Sequence, residues 1–396
     1  MSSNREVVVV GATRTAIGTY GGGLKDVPLG DLAASVLRES VARAGVDPAQ
    51  IGHVVFGNVI HTEPRDMYLA RVATINGGLP QSTPALTLNR LCGSGLQAIV
   101  TAASYIQLGE ADAVVGGGCD AMSRAPYWLP SGRWGQRMGD GTMLDAMVGA
   151  LTDPFDKCHM GITAENVAEK WGISREDQDA LAVESHQRAA AAIDAGRFKD
   201  QIMPVEVKGR KGVTVVDTDE GPRRDVTLEK LAGMKPVFKR DGGSVTAGNA
   251  SSLNDGAAAV TMMSADAAEK AGVKPLARLV GATVAAVDPK YMGIGPVPAV
   301  QQLLEKTGIA SADVDVWEVN EAFAAQALAV VRDLDLDPAK VNPNGSGISL
   351  GHPIGATGAN LTVKAVYELQ RTGGRYAVVT MCIGGGQGIA ALFERL

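Results

Sequence analysis

Two cysteines and a histidine, each set among glycines, are the residues of this 396-residue chain best suited to nucleophilic and proton-transfer chemistry. The first stands in Asn89-Arg90-Leu91-Cys92-Gly93-Ser94-Gly95-Leu96-Gln97-Ala98, ahead of a small-residue helical pattern. A thiol at a helix start meets unpaired backbone N–H groups and the positive end of the dipole. These favour the thiolate and predict a thiol pKa below its ordinary value. Gly93 and Gly95 leave room for a bulky substrate beside the sulfur. An inert core cysteine is the competing reading.

The histidine is His352, between Gly351 and Pro353 in the glycine-dense loop Asn342–Gly358. An imidazole held this way suits the base that takes a proton from a thiol. The second cysteine, Cys382, ends a strand-like run and precedes Gly384-Gly385-Gly386, a loop type that can turn backbone N–H groups toward an oxyanion. Asn320 and Glu321 leave another buried-looking strand, where Asn320 serves either a reacting group or simply as a helix cap. No C-x-x-C or H-x-x-x-H spacing is present, so a closed metal site is not expected. Gly93–Ala98 also fits the dinucleotide-binding pattern G-x-G-x-x-A. The acids Glu110 and Asp112 precede the next strand rather than end it, which leaves that reading as a minor alternative.

These residues need a scaffold, and the pattern reads as α/β. Short Val-rich runs at 6–10, 53–58, 113–116, 314–319 and 376–381 read as buried parallel strands. Apolar residues at three- and four-residue spacing predict helices over 29–44, 95–108, 297–306, 322–331 and 359–371. Gly11-Ala12-Thr13 returns as Gly281-Ala282-Thr283, Val54-Val55-Phe56 has a counterpart at Val316-Trp317-Glu318, and Ala113-Val114-Val115 returns as Ala377-Val378-Val379. The nearly constant offset points to two similar α/β halves around a dissimilar, loop-rich middle. Within that middle, residues 199–240 carry ten Lys/Arg against seven Asp/Glu, a modest excess that could meet phosphate or lie in solvent.

Composition bounds the partners. Hydrophobic residues at 45% suffice for a packed core, and the 49 glycines follow no triplet period. A formal charge of −6 offers no general field for nucleic acid or an anionic membrane. No apolar run approaches a membrane span, and Val7–Val10 is too short for the apolar stretch of a signal peptide. Cys92, Cys119, Cys158 and Cys382 lie far apart, which favours a reducing, cytoplasmic setting.

Taken together these segments resemble the thiolase family along essentially the whole chain. The resemblance rests on Asn89–Gly95, on Gly248-Asn249-Ala250-Ser251 with Asn254-Asp255-Gly256, on Asn320-Glu321-Ala322-Phe323, on Gly351-His352-Pro353 and on Cys382-Ile383-Gly384-Gly385-Gly386, in that order. It implies duplicated α/β halves in a layered core with an inserted loop domain. The expected division is 1–120 with 250–274 for the first half, 121–249 for the coenzyme A-binding loop domain and 275–396 for the second half. The implied reaction is reversible Claisen condensation of acyl-CoA with acetyl-CoA and thiolysis of short 3-ketoacyl-CoA. A degradative thiolase of broader chain length is the alternative. Decarboxylative condensation of the ketoacyl-synthase kind fits less well, because Cys382 is present.

Carried onto this sequence, the resemblance makes Cys92 the acylated nucleophile, His352 its base and Cys382 the acid/base at the α-carbon. Asn320 would hold a water beside His352 in one oxyanion site, and the N–H groups of Cys92 and Gly384 would form another. Ser251, Arg223 or its neighbour Arg224, His159, Met160, Phe238, Ala247 and Phe323 would contact coenzyme A or the acyl group. No metal or permanently bound cofactor is implied, coenzyme A and acetyl-CoA being substrates, and a homo-oligomer is expected.

Overall fold

The structure, a computed structural model, describes residues 5–210 and 212–396. Among the described residues the main sheet has ten strands, nine of them in one continuous order: β1 (Val7–Arg14), β2 (Ile51–Gly57), β3 (Ala85–Leu88), β4 (Ala113–Ala121), β5 (Asn254–Ser264), β6 (Ala277–Ala286), β7 (Val314–Val319), β8 (Tyr376–Ile383) and β9 (Gln387–Arg395). The short strand Gly18–Thr19 pairs onto β5. Seven longer helices are α1 (Leu29–Ala44), α2 (Ser94–Gln107), α3 (Met160–Trp171), α4 (Arg175–Asp194), α5 (Pro296–Thr307), α6 (Ala324–Asp333) and α7 (Thr357–Thr372).

The sheet runs β7-β8-β9-β6-β1-β5-β4-β2-β3 and repeats one motif about the β6/β1 contact. In the first half β2 and β4 are parallel, followed by antiparallel β5 and β1. In the second, β7 and β8 are parallel, followed by antiparallel β9 and β6. The repeat extends to irregularities: β1 shifts register between Val9 and Gly11, and β6 between Leu279 and Gly281. The Gly-Ala-Thr echo of the sequence therefore marks a bulge kept in both halves, where the chain bends as strands do at such sites.

One expectation is corrected. The run at 6–10 is a buried strand but not a parallel one, because β1 lies antiparallel to both β5 and β6. Burial on both faces produced the continuous apolar run regardless of strand direction.

Helices α2 and α7 lie between the two halves of the sheet. Their Leu96, Ile99, Ala103, Leu361, Val363 and Val366 share one core with Val9, Val114, Val379 and Ile389 from both sides. Small residues let these layers approach closely: a Cβ on Gly95 of α2 would lie 2.7 Å from the backbone nitrogen of Ala359 in α7. Helix α1 packs outside the first half and α5 outside the second. The middle segment is more ordered than its sequence pattern predicts. It holds α3, α4 and the hairpin Val205–Gly209/Gly212–Val216. Among the described residues no helix is long and apolar enough to cross a membrane.

Candidate active site

The site forms where the parallel strands end, the usual ligand position in α/β sheets. Strand β8 delivers Cys382, with Gly384 just beyond it, and β7 delivers Asn320 one residue past its end. The chain entering α2 presents Cys92, and the loop entering α7 presents His352. Each placement has a local cause. Gly351 adopts φ +112°, and a Cβ there would strike the Asn254 side chain, whose Oδ1 accepts the His352 N–H at 2.9 Å. Leu91 takes φ +44°, turning the chain sharply into Cys92.

Cys92, His352, Cys382 and Gly384 line one cavity of about 420 Å³. Ser251, Arg223, His159, Met160, Phe238, Ala247 and Phe323 line it as well. Asn320 does not reach the cavity wall. It is fully buried behind the histidine, with Nδ2 3.4 Å from His352 Nε2, and its Oδ1 has no partner among the described residues. Nor does it cap α6, whose capping position is Phe323.

The electrostatics correct the expectation for Cys92. Its thiol is pushed up to about 11, because burial outweighs the backbone N–H groups of Gly384 and Cys92 itself that point at the sulfur. The first helical residue is Ser94, so the sulfur sits ahead of the first turn rather than within it. Burial pushes the Cys382 thiol well up too, with Cys92 close enough to add to the effect. It drives His352 down to about 4. Cys92 is thus a neutral thiol and His352 a neutral imidazole at rest.

The cavity wall is built from interlocking segments. Ser251 N–H donates to Ala322 O at 3.0 Å, which ties the Gly248–Ser251 block to the Asn320–Phe323 block. The His159 ring stacks on Phe238 with centroids 4.6 Å apart, and Phe238 meets Phe323 edge-on. Arg224 pairs with Asp194 through two 2.6 Å hydrogen bonds and Lys230 pairs with Asp225. Arg223 lines the cavity, and the described residues offer its guanidinium no ion pair. Of the two arginines, Arg223, the first choice on the sequence, is the one that lines the cavity. Sequence reasoning missed Thr357, whose hydroxyl holds the His352 ring, and Met292, Leu151 and Ile354, which complete the apolar wall. Thr357 has a faint sequence signal, a hydroxyl at the start of a Gly/Ala-rich helix five residues past the histidine. The apolar wall residues have none.

No group of three or more His, Cys, Asp or Glu among the described residues is arranged to hold a metal ion. Family comparison matches the thiolase N-terminal domain over residues 7–266 and the thiolase C-terminal domain over 273–395. The chain is 64% identical over 392 residues to beta-ketothiolase BktB of Cupriavidus necator, covering 99% of this chain and 100% of that one. The fold superposes on the crystal structure of the Bacillus anthracis acetyl-CoA acetyltransferase with TM-score 0.98 and 49% identity, covering 100% of both chains. Human mitochondrial 3-ketoacyl-CoA thiolase in complex with CoA gives TM-score 0.96 and 47% identity, over 100% of this chain and 99% of that one. With both halves matched in order and the paired cysteines and histidine around one cavity, the chain belongs to the thiolase family.

Proposed function

We propose that this thiolase condenses acetyl-CoA with a short acyl-CoA, and cleaves short 3-ketoacyl-CoA in reverse, through an acyl group carried on Cys92. The observation that supports this best is the convergence of two thiols, an imidazole and two backbone N–H groups on one apolar cavity. His352 Nε2 takes the proton of Cys92 as the sulfur attacks a thioester carbonyl and keeps it, while the Cys382 thiol gives its own proton to the departing coenzyme A thiolate. The N–H groups of Cys92 and Gly384 stabilise the oxyanion. A thioester exchanges readily with a second thiol because attacking and leaving sulfur are of similar basicity.

In the second half-reaction the Cys382 thiolate so formed takes the α-proton of a bound acetyl-CoA, the resulting enolate attacks the acyl group on Cys92, and the departing Cys92 sulfur recovers its proton from His352. Asn320, behind the ring with its unpartnered Oδ1, holds a water that stabilises the enolate together with His352 Nε2. Arg223 meets coenzyme A phosphate, while Ser251, Ala247, Phe238 and Phe323 enclose the pantetheine arm, and His159 and Met160 border the acyl group. We assign the first half to 1–120 with 250–274, the loop domain to 121–249 and the second half to 275–396. Exposed apolar side chains from Tyr127 to Val148, with Trp134 88% exposed, support a homo-oligomer, and the four unpaired cysteines support a cytoplasmic setting. The test is Cys382→Ser: the variant still accepts an acetyl group on Cys92 but forms no acetoacetyl-CoA. Retained condensation would move the α-proton step elsewhere.

A further inference from the structure

Asp120, the penultimate residue of β4, has its side chain fully buried, and no cation pairs with it among the described residues. Four groups converge on its carboxylate. Asn58 Nδ2 and Ile60 N–H donate to Oδ1 at 2.9 and 3.0 Å, and Val59 N–H and Gly355 N–H donate to Oδ2 at 3.3 and 2.6 Å. Two different pieces of the site are held there. Val59 and Ile60 pack in one apolar cluster with Cys92 and Ile354. Gly355 lies three residues past His352, in the turn that leads into α7 and Thr357.

The duplication explains why an acid stands at this place. Gly95 of α2 contacts Ala359, and Gly358 of α7 contacts Leu96, so the starts of the two central helices are related as the halves are. The turn before α2 packs Cys92 against Gly384 at the end of β8. The related turn before α7 packs Gly355 against Asp120 at the end of β4. One crossing builds the nucleophile; the other anchors the histidine loop.

We propose that Asp120 is a positioning residue for the Cys92–His352 pair, clamping the segment behind the nucleophile and the histidine loop through one carboxylate. A glycine is required opposite it, because a Cβ on Gly355 would strike Oδ2. The carboxylate acts through backbone and touches no substrate. Burial holds its pKa up at about 7, the expected consequence of placing an acid where only neutral donors face it.

The inference rests on the acyl-transfer reading, and its test separates the two. Acetoacetyl-CoA thiolysis is measured for the full-length protein, Asp120→Asn, Gly355→Ala and the double variant. Rates are expressed per Cys92 that accepts an acetyl group, so that misfolded protein does not count. Both single variants are expected to lose on the order of tenfold to a hundredfold in kcat, as sub-ångström misplacement of reacting groups does, with KM for coenzyme A within about twofold. The double variant is expected to lose no more than the worse single one, because both break the same contact. Full kcat per acetylated site in Asp120→Asn, a loss shared equally by KM, or strictly additive losses would overturn the role of Asp120. If Asp120→Asn fails to fold, the kcat and KM of Gly355→Ala decide by the same criteria. A wild-type protein that takes no acetyl group on Cys92 would overturn the acyl-transfer reading itself.

Discussion

His352 Nδ1 lies 2.6 Å from the hydroxyl oxygen of Thr357, which lies 2.9 Å from Pro353 O and donates to it. A hydroxyl has one proton. With that proton given to the carbonyl, its oxygen accepts from Nδ1–H, and the lone pair of the ring is left on Nε2. Thr357 thus selects the tautomer that can take a proton from Cys92. Thr357→Val should lower kcat on the order of 10²-fold with the fold intact, and Thr357→Ser should recover most of it. Equal loss in both variants would show that the methyl group matters and not the hydroxyl. Steady-state kinetics beside thermal melts decides.

The ring itself should report its burial. His352 is driven down to about 4, so its NMR signals should titrate near that value and show no inflection at the ordinary 6.5. An unfolded chain takes up the proton as pH falls through about 6.5 while the folded chain refuses it until about 4. The contribution is complete above the upper value and is lost across that window, on the order of 3 kcal/mol for one such group. His186, also down to about 4 through burial and the nearby Arg223, adds in the same direction. Denaturant melts from pH 7 to 4 measure the loss.

Lys364 and Glu318 form an ion pair at 2.8 Å that is closed to solvent on both sides. Lys364 also donates to Gly345 O at 2.6 Å, in the loop that carries His352. Lys364→Met leaves a buried acid without its cation and should cost about 3–5 kcal/mol, whereas Lys364→Met with Glu318→Leu should regain most of that. Calorimetry or denaturant melts of the two variants give the comparison. Similar stability for both would mean that the charge of Glu318 is not what the lysine compensates.

Arg223 and Arg224 are neighbours with opposite circumstances. Arg224 is held by Asp194, and Arg223 lines the cavity. Arg223→Ala should raise KM for coenzyme A about tenfold, the value of one charge-assisted hydrogen bond of ~1.5 kcal/mol. Arg224→Ala should leave it within about twofold, since an exposed ion pair contributes little. Thiolysis at varied coenzyme A concentration distinguishes them, and the reverse pattern would exchange their roles.

Most of the site was legible in the sequence because glycine is placed where geometry demands it. The positions of Cys92, His352 and Cys382 show up as breaks in apolar periodicity flanked by glycine, and the long helix over 29–44 shows in its spacing. Strand β5 left no such signal. Its Ala257-Ala258-Ala259 run has poor strand propensity, yet the strand forms because both faces are buried between helical layers that only small residues admit. The lowered pKa expected for Cys92 failed for a related reason. A helix start favours the thiolate, but the cavity that admits an acyl group also strips water from the sulfur, and that loss is larger. Asp120 bonds to Asn58 and Gly355 across distant segments, which no local pattern records, and Thr357 left only the faint signal of a hydroxyl five residues past His352.

The central claim is that Cys92 carries the acyl group, and intact-protein mass spectrometry after incubation with acetyl-CoA tests it most directly. The account predicts one acetyl group per chain, mapping to Cys92, present in Cys382→Ser, absent in Cys92→Ser and released on addition of coenzyme A. An active preparation that carries no adduct, or carries it on Cys382, would contradict it.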